Sequence, residues 1–77
     1  MPSDEIEIDA RGHRCPVPTL RLRRALEAAT PGSVVRLLAD DPLARIDVPH
    51  FAREARCELL EMTPLERGWA FRVRARA

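Results

Sequence analysis

The chain has 77 residues, of which 45% are hydrophobic and 32% charged, and its net charge is +1. This length suits one small domain, which buries roughly 60% of its unfolded surface, so we expect a single domain over residues 1–77. So small a net charge excludes bulk electrostatic attraction as a basis for stable nucleic-acid binding. All thirteen basic residues are arginine, which excludes Schiff-base chemistry on a lysine side chain.

Neither a membrane span nor a secretion signal is expected. No apolar run approaches the ~20 residues that a membrane helix needs. The segment Met1–Glu5 is acidic and lacks the basic and apolar regions of a secretory signal. We therefore expect a cytoplasmic protein with no membrane contact, in which Cys15 and Cys57 do not form a disulfide.

The first half of the chain predicts a strand, a helix and a second strand. Ile6 and Ile8 alternate with acidic residues, which is typical of a strand with one buried face. A loop over residues 10–14 leads to a helix that continues to about Thr30 and stops at Pro31-Gly32. The predicted core-facing residues of this helix are Leu22, Ala25, Leu26 and Ala29. The nearly continuous apolar run at residues 33–39 predicts an inner strand.

A second helix is expected after this strand. Asp40-Asp41-Pro42 ends the strand and supplies side-chain oxygens for a turn or a cap. The helix is predicted from about Asp47, with Pro49 in its first turn. Its predicted core-facing residues are Val48, Phe51, Ala52 and Ala55.

The last third predicts a hairpin and settles the fold class. Residues 57–62 and 69–76 are predicted strands on either side of a turn at residues 66–68. In the last strand, apolar residues alternate with arginines. One face of the sheet is therefore expected to be buried and the other exposed to solvent. We therefore predict an α+β fold, a two-layer sandwich in the order β-α-β-α-β-β, with both helices on one face of a four-stranded mixed sheet.

The segment Arg14-Cys15-Pro16-Val17-Pro18 places a cysteine at the start of the first predicted helix. Proline is tolerated in the first turn of a helix, yet it also pushes the preceding residue away from helical geometry. Two arrangements stay open. Either Cys15 is the N-cap and the Val17 N–H faces its sulfur, or the regular helix begins at Pro18. In both, the helix N-terminus is expected to lower the pKa of an accessible thiol.

Residues around Cys15 are assigned supporting roles. Pro16 and Pro18 stiffen the presentation of the thiol, and Arg14, with His13, favours its thiolate. A basic stripe, Arg21, Arg23 and Arg24, follows on the helix. It is either a solvated face or, together with Val17, a surface that binds acidic patches of partner proteins.

Cys57 and the two histidines suggest no further site. Cys57 begins a predicted strand, where cysteine is usually a small buried hydrophobe. The spacing of Cys15, Cys57, His13 and His50 matches no compact zinc motif. We expect neither a metal nor a cofactor.

The segment from Asp9 to Pro18 resembles the D-x-x-G-x-x-C-P-x-P signature of the TusA-like, or SirA-like, sulfur-carrier family. Pro31-Gly32, the segment 39–42 and the segment 47–51 resemble that family at its spacing, so the similarity extends from about Ile6 to Arg74. The resemblance implies a sandwich like the C-terminal domain of translation initiation factor three. It also implies that Cys15 carries sulfur as a persulfide.

This resemblance identifies the leading functional hypothesis. The protein is expected to be a sulfurtransferase in the sense of a carrier, which takes sulfur from a cysteine desulfurase or a rhodanese-like donor and passes it to an acceptor protein. Family members serve tRNA thiolation, sulfur oxidation and molybdenum-cofactor maturation. Val17 stands where the tRNA-thiolation members have an acidic residue, and Cys57 has no counterpart in the signature. We expect a protein that is monomeric when free.

Two other classes of function stay open. One is a non-catalytic regulatory or binding module with the same fold and a redox-sensitive Cys15. The other is RNA binding by the outer face of the last strand, through Arg72, Arg74 and Arg76.

Overall fold

A computed structural model describes residues 5–76 of the chain. Its elements are β1 (Ile6–Asp9), α1 (Val17–Ala28), β2 (Val34–Ala39), α2 (Ala44–Glu54), β3 (Glu58–Pro64) and β4 (Trp69–Arg74). This order is the predicted one. Most of the acidic N-terminal segment, which entered the expectation of a protein without a secretion signal, lies outside the described residues.

The four strands form one mixed sheet in the order β1-β2-β4-β3. β1 and β2 are parallel, whereas β4 pairs antiparallel with both β2 and β3. The prediction that the second strand is an inner one is confirmed, and β4 is the other inner strand. Because β1 and β2 run in the same direction, the loops after both strands leave the same edge of the sheet.

Both helices pack on one face of this sheet and bury a common core. Leu22 and Leu26 of α1 and Val48 and Ala52 of α2 are at most 8% exposed. The strands contribute Val35, Leu37, Phe71 and Val73, which are fully buried. In β1, Ile8 packs against this core, but Ile6 remains 41% exposed, so only part of its predicted apolar face is covered.

The opposite face of the sheet carries ion pairs between strands, and one of them joins β4 to the residue before β1. Arg72 pairs with Glu5 at 3.1 Å and with Glu61 at 3.4 Å. Arg36 pairs with Glu7 at 2.7 Å, and Arg74 pairs with Glu58 at 3.0 Å. The predicted wet face is therefore confirmed, and its arginines are largely neutralised by glutamates.

Both helices begin at positions that differ from the predicted ones. Pro16 is the N-cap of α1 and Val17 its first residue, so neither arrangement proposed from the sequence is correct. α2 begins at Ala44 instead of near Asp47, and Pro49 lies inside it. The earlier start of α2 is supported by Asp41, whose side chain accepts a hydrogen bond from the Leu43 N–H at 3.0 Å. This bond satisfies a backbone N–H at the helix start that has no partner within the helix.

The remaining boundaries differ by a few residues. α1 ends at Ala28, two residues before the predicted end. β3 extends to Pro64 and β4 stops at Arg74. Gly68, in the turn between them, has a φ of 85°, and a Cβ there would collide with the Ala39 carbonyl at the end of β2. This close approach packs the turn against the edge of the sheet from which the β2–α2 loop leaves.

Candidate functional site

Cys15 lies in the loop that joins β1 to α1, two residues before the helix. The Val17 N–H donates to the Arg14 carbonyl at 3.0 Å, and the Leu20 N–H donates to the Pro16 carbonyl at 2.9 Å. The Val17 N–H therefore closes a turn around Cys15. It does not face the Cys15 sulfur, whereas the first of the two arrangements predicted from the sequence requires that it does. The Cys15–Pro16 peptide bond is cis.

Two aspartates after β2 hold this loop in place. Asp41 Oδ2 accepts a hydrogen bond from the Cys15 N–H at 2.8 Å, while its other oxygen accepts from the Leu43 N–H at 3.0 Å. Asp40 Oδ1 accepts from the Gly12 N–H at 2.9 Å. The hydrogen bonds from Leu43 and Cys15 lower the pKa of Asp41. Asp41 therefore supports both the start of α2 and the backbone of Cys15.

The aspartates do more than the sequence predicted for them. Asp40-Asp41 was assigned only to a turn or a cap, and its contact with the cysteine loop was missed. The signal was present in the topology, because loops that follow adjacent parallel strands meet at one edge of the sheet. No local sequence pattern indicates the hydrogen bond between Asp41 and Cys15, because the two residues are 26 positions apart.

The cysteine sits between the protein core and its surface. Cys15 is partly buried and packs against the hydrophobic core. Pro18, the second residue of α1, is fully buried, whereas Pro16 and Arg14 are exposed. The predicted stiffening role thus has a structural basis at Pro18, which anchors the first turn of α1 in the core. The thiol remains at the boundary, where a partner protein can reach it.

The prediction that Cys15 has a lowered pKa is wrong. Burial raises the pKa of the Cys15 thiol to about 11, helped by the Asp47 carboxylate as a hydrogen-bond acceptor and a negative charge, and by the charge of Asp41. The Thr19 hydroxyl opposes them and lowers this pKa. The sequence argument counted only charges close along the chain, and Asp41 and Asp47 reach Cys15 through the tertiary structure. At neutral pH the resting cysteine is therefore a thiol.

Arg14 acts mainly on Asp41. Its charge helps to lower the pKa of Asp41, and it is absent from the principal influences on the Cys15 thiol. His13 is exposed in the same loop. Thr19, which the sequence argument did not single out, contacts the site instead, and its position four residues after Cys15 was the available signal.

The helix next to Cys15 presents a surface that is both apolar and basic. Val17 and Leu20 are 39% and 49% exposed. A groove of about 450 Å³ runs along this face, lined by Val17, Leu20, Arg21, Arg23, Arg24 and Glu27. Arg21 also donates to the Asp9 carbonyl at 3.2 Å, which ties the start of this surface to the end of β1. The predicted partner-binding residues Val17, Arg21 and Arg24 thus share one face.

Cys57 lies in a different environment. It precedes β3, packs against the core and directs its thiol towards the Ala55 carbonyl, at an S···O distance of 3.8 Å. Both cysteines are free. Within residues 5–76, no three His, Cys, Asp or Glu side chains are placed to hold a metal ion. In the same range, no helix has the length and apolar character needed to cross a membrane.

The fold and this cysteine loop can be compared with known proteins. The family model described as Sulfurtransferase TusA matches residues 6–75. The chain belongs to the TusA family. This membership confirms the resemblance noted in the sequence, and it covers both helices and all four strands.

Individual relatives agree with this family assignment. A putative sulfur carrier protein of Archaeoglobus fulgidus is 39% identical over 62 residues, which are 80% of each chain. The sulfur carrier protein TusA of Allochromatium vinosum is 40% identical over 55 residues, covering 71% of this chain and 72% of that protein. The crystal structure of a SirA-like protein from Desulfitobacterium hafniense aligns with a TM-score of 0.75 at 30% identity, over 90% of this chain and 93% of that one. The predicted fold class is confirmed.

Proposed function

We propose that this TusA-family protein is a sulfur carrier, a single domain that accepts sulfane sulfur as a persulfide on Cys15. It relays that sulfur from a donor protein, a cysteine desulfurase or a rhodanese-like enzyme, to an acceptor protein. The observation that carries the proposal is the placement of Cys15. It lies two residues before α1, and its backbone N–H donates a hydrogen bond to Asp41. The sulfur-carrier relatives support the same role.

The geometry favours transfer between proteins over chemistry in an enclosed pocket. A persulfide on Cys15 extends from the boundary of the core towards solvent, where the active site of a partner can reach it. No cofactor is needed, because the transfer exchanges one S–S bond for another. In this sense the protein is a sulfurtransferase whose partners supply the rest of each active site.

The raised pKa of Cys15 defines what a partner contributes. A thiol with a pKa of about 11 is a poor nucleophile at neutral pH, because thiolate is the reactive form. A cationic group of the donor, placed near Asp41 and Asp47 on docking, would offset their charge and favour the thiolate. Activation of Cys15 by the bound partner therefore replaces activation by the helix N-terminus.

The surface beside Cys15 is suited to docking such partners. Val17 and Leu20 supply exposed apolar contacts, and Arg21 and Arg24 supply positive charge on the same helix face. We propose that this face binds acidic patches of donor and acceptor proteins, with charge guiding encounter and apolar contact adding affinity. Cytoplasmic location and a free monomer are part of the same proposal.

The other two functions fit the site less well. A redox-sensitive cysteine is expected to be a low-pKa thiol, and Cys15 has a raised pKa. RNA binding by the sheet face would need Arg72, Arg74 and Arg76 to contact phosphates. Arg72 and Arg74 are paired with glutamates. Arg76 follows the end of β4 and lines a groove with Arg23 and Phe51 of the helices.

Mass spectrometry after incubation with a sulfane-sulfur donor tests the proposal. Trypsin cleaves after Arg14, Arg21, Arg56 and Arg67, so the two cysteines fall in separate peptides, residues 15–21 and 57–67. We expect the intact protein to gain one sulfur atom, removable by a reductant, and the gain to map to the peptide of residues 15–21. Sulfur on the other peptide, or none on either, would contradict the proposal.

A further inference from the structure

The hydroxyl of Thr19 is buried and has no hydrogen-bond partner among the described residues. A threonine in a helix usually bonds the carbonyl three or four residues earlier, which here belongs to Pro16 or Cys15. The Pro16 carbonyl instead accepts the Leu20 N–H at 2.9 Å. Buried polar groups without a partner are uncommon and call for an explanation.

The position of Thr19 directs attention to the Cys15 sulfur. Thr19 is the third residue of α1, and Cys15 lies two residues before that helix. Its hydroxyl favours the thiolate of Cys15, whereas Asp47 of α2 and Asp41 of the β2–α2 loop favour the thiol. The two carboxylates only accept hydrogen bonds, so Thr19 is the one side chain in this set that can donate to a charged sulfur.

We propose that Thr19 is a positioning residue for sulfur transfer, whose hydroxyl donates a hydrogen bond to the Cys15 sulfur when that sulfur is a thiolate. The inference rests on the proposed sulfur-carrier function. A thiol sulfur is a weak acceptor, so the hydroxyl has little to bond in the resting protein. A thiolate is a charged acceptor, and hydrogen bonds to charged groups are markedly stronger.

The same thiolate occurs in both halves of the transfer. In loading, the Cys15 thiolate attacks the terminal sulfur of a donor persulfide, the donor S–S bond breaks, and the donor leaves as a thiolate that takes up the proton lost by Cys15. In delivery, an acceptor thiolate attacks the terminal sulfur of the Cys15 persulfide, and Cys15 leaves as a thiolate that is reprotonated. Neither step needs an oxidant or a reductant. Thr19 stabilises Cys15 as nucleophile in the first step and as leaving group in the second.

The test compares Thr19→Val, which removes the hydroxyl at nearly the same volume, with Thr19→Ser, which keeps it. Thr63→Val is the matched control, because it makes the same change at an exposed position of β3. The first readout is the rate of iodoacetamide alkylation of the peptide of residues 15–21 between pH 7 and pH 10. The second is the rate of sulfur loading from a small-molecule persulfide. Circular dichroism establishes that each variant is folded.

We expect Thr19→Val to reduce both rates by about threefold. Loss of one hydrogen bond to a charged group is expected to lower the thiolate fraction by about tenfold. The remaining thiolate is more basic and therefore about threefold more nucleophilic, so the net loss of rate is about threefold. Thr19→Ser should restore the wild-type rates, and Thr63→Val should not change them. Unchanged or faster alkylation in a folded Thr19→Val protein would overturn the inference, as would a Thr19→Ser protein as slow as Thr19→Val.

Failure of this inference and failure of the proposed function give different results. Alkylation of Cys15 needs no sulfur donor, so its dependence on Thr19 is measured even if the protein carries no sulfur. Conversely, a protein that loads sulfur on Cys15 equally well with valine at position 19 would remain a carrier without this contact.

Discussion

The two cysteines of this protein are both free and both partly buried, yet their surroundings differ in kind. The Cys15 backbone is held by Asp41 at 2.8 Å, and its thiol is influenced by Asp47 and Thr19. The Cys57 thiol is directed towards the Ala55 carbonyl, its backbone N–H donates to the Ala52 carbonyl at 2.9 Å, and its side chain packs against the core. Partial burial alone does not distinguish a carrier thiol from a packing residue, whereas the polar groups around it do.

On the proposal that Cys15 carries sulfur, the comparison means that such a cysteine need not be activated in the resting protein. The groups around Cys15 favour its protonated form, which protects this partly buried thiol from oxidation. The same carboxylates are positioned where an approaching cation can neutralise them. A sulfur carrier that reacts only with bound partners benefits from a thiol that stays unreactive between encounters.

The largest expected difference between the cysteines is in sulfur loading. Cys15→Ser should abolish it, because serine offers no sulfur nucleophile, while the fold is retained since the Asp41 contact uses the backbone N–H. Cys57→Ala should load normally and lose about 1 kcal/mol of unfolding free energy through lost packing. Intact mass after donor treatment and urea unfolding measure the two effects. A folded Cys57→Ala protein with a large loading defect would reverse the assignment of the two cysteines.

The next effect concerns the carboxylate nearest to the thiol. Asp47→Asn removes a negative charge that raises the pKa of Cys15, so that pKa should fall. The alkylation rate of Cys15 at pH 8 should then rise by about threefold, because a roughly tenfold gain in thiolate is partly offset by the lower nucleophilicity of the less basic sulfur. Asp40→Asn is the matched control, because Asp40 bonds Gly12 and is not among the groups that shift the thiol pKa. Equal alkylation rates in Asp47→Asn and wild type would mean that Asp47 does not raise the pKa of Cys15.

Stability at alkaline pH offers a third test. The folded protein holds the Cys15 proton more tightly than an ordinary thiol, with a pKa of about 11 against 9.0. This contribution is fully present below about pH 9 and is lost as the pH rises through about 11. Solvent screening of the partly exposed side chain limits it to about 1 kcal/mol.

The composition keeps this window clear, because the chain has neither lysine nor tyrosine, whose side chains would otherwise titrate near this pH. Urea unfolding of wild type and Cys15→Ser at pH 8, 9 and 10 measures the effect. We expect the wild type to lose more stability than Cys15→Ser over this range. Parallel declines would mean that the Cys15 pKa is not raised in the folded state.

The smallest expected effect comes from an exposed residue beside the site. Val17→Glu adds a negative charge in the first turn of α1, where repulsion of the thiolate outweighs the favourable interaction of glutamate with the helix N-terminus. The alkylation rate of Cys15 should fall by about twofold to threefold, and the preference among donor proteins should change. Val17→Gln, with the same shape and no charge, is the control. Equal slowing by both variants would point to a steric cause.

Much of the fold could be predicted because it follows from local patterns. The alternation of Phe71 and Val73 with arginines, and the helical spacing of Leu22 and Leu26, depend only on which face of an element meets the core. The boundaries were less predictable because they depend on distant partners. The start of α2 lies beside Asp41, whose side chain accepts a hydrogen bond from the Leu43 N–H just before that helix and another from the Cys15 N–H.

By itself the sequence determined the order of elements, the buried face of the sheet and the presence of a cysteine just before the first helix, since each follows from neighbouring residues. Only the tertiary structure decided the protonation of that cysteine. The parallel pairing of β1 and β2 brings the loop after β2, and the first turns of α2, against the cysteine loop. The same packing places Asp41 and Asp47 near Cys15, although they lie 26 and 32 positions along the chain from it. Burial strengthens the effect of their charges on the thiol pKa. An electrostatic field is a sum over neighbours in space, and those neighbours are set by the packing.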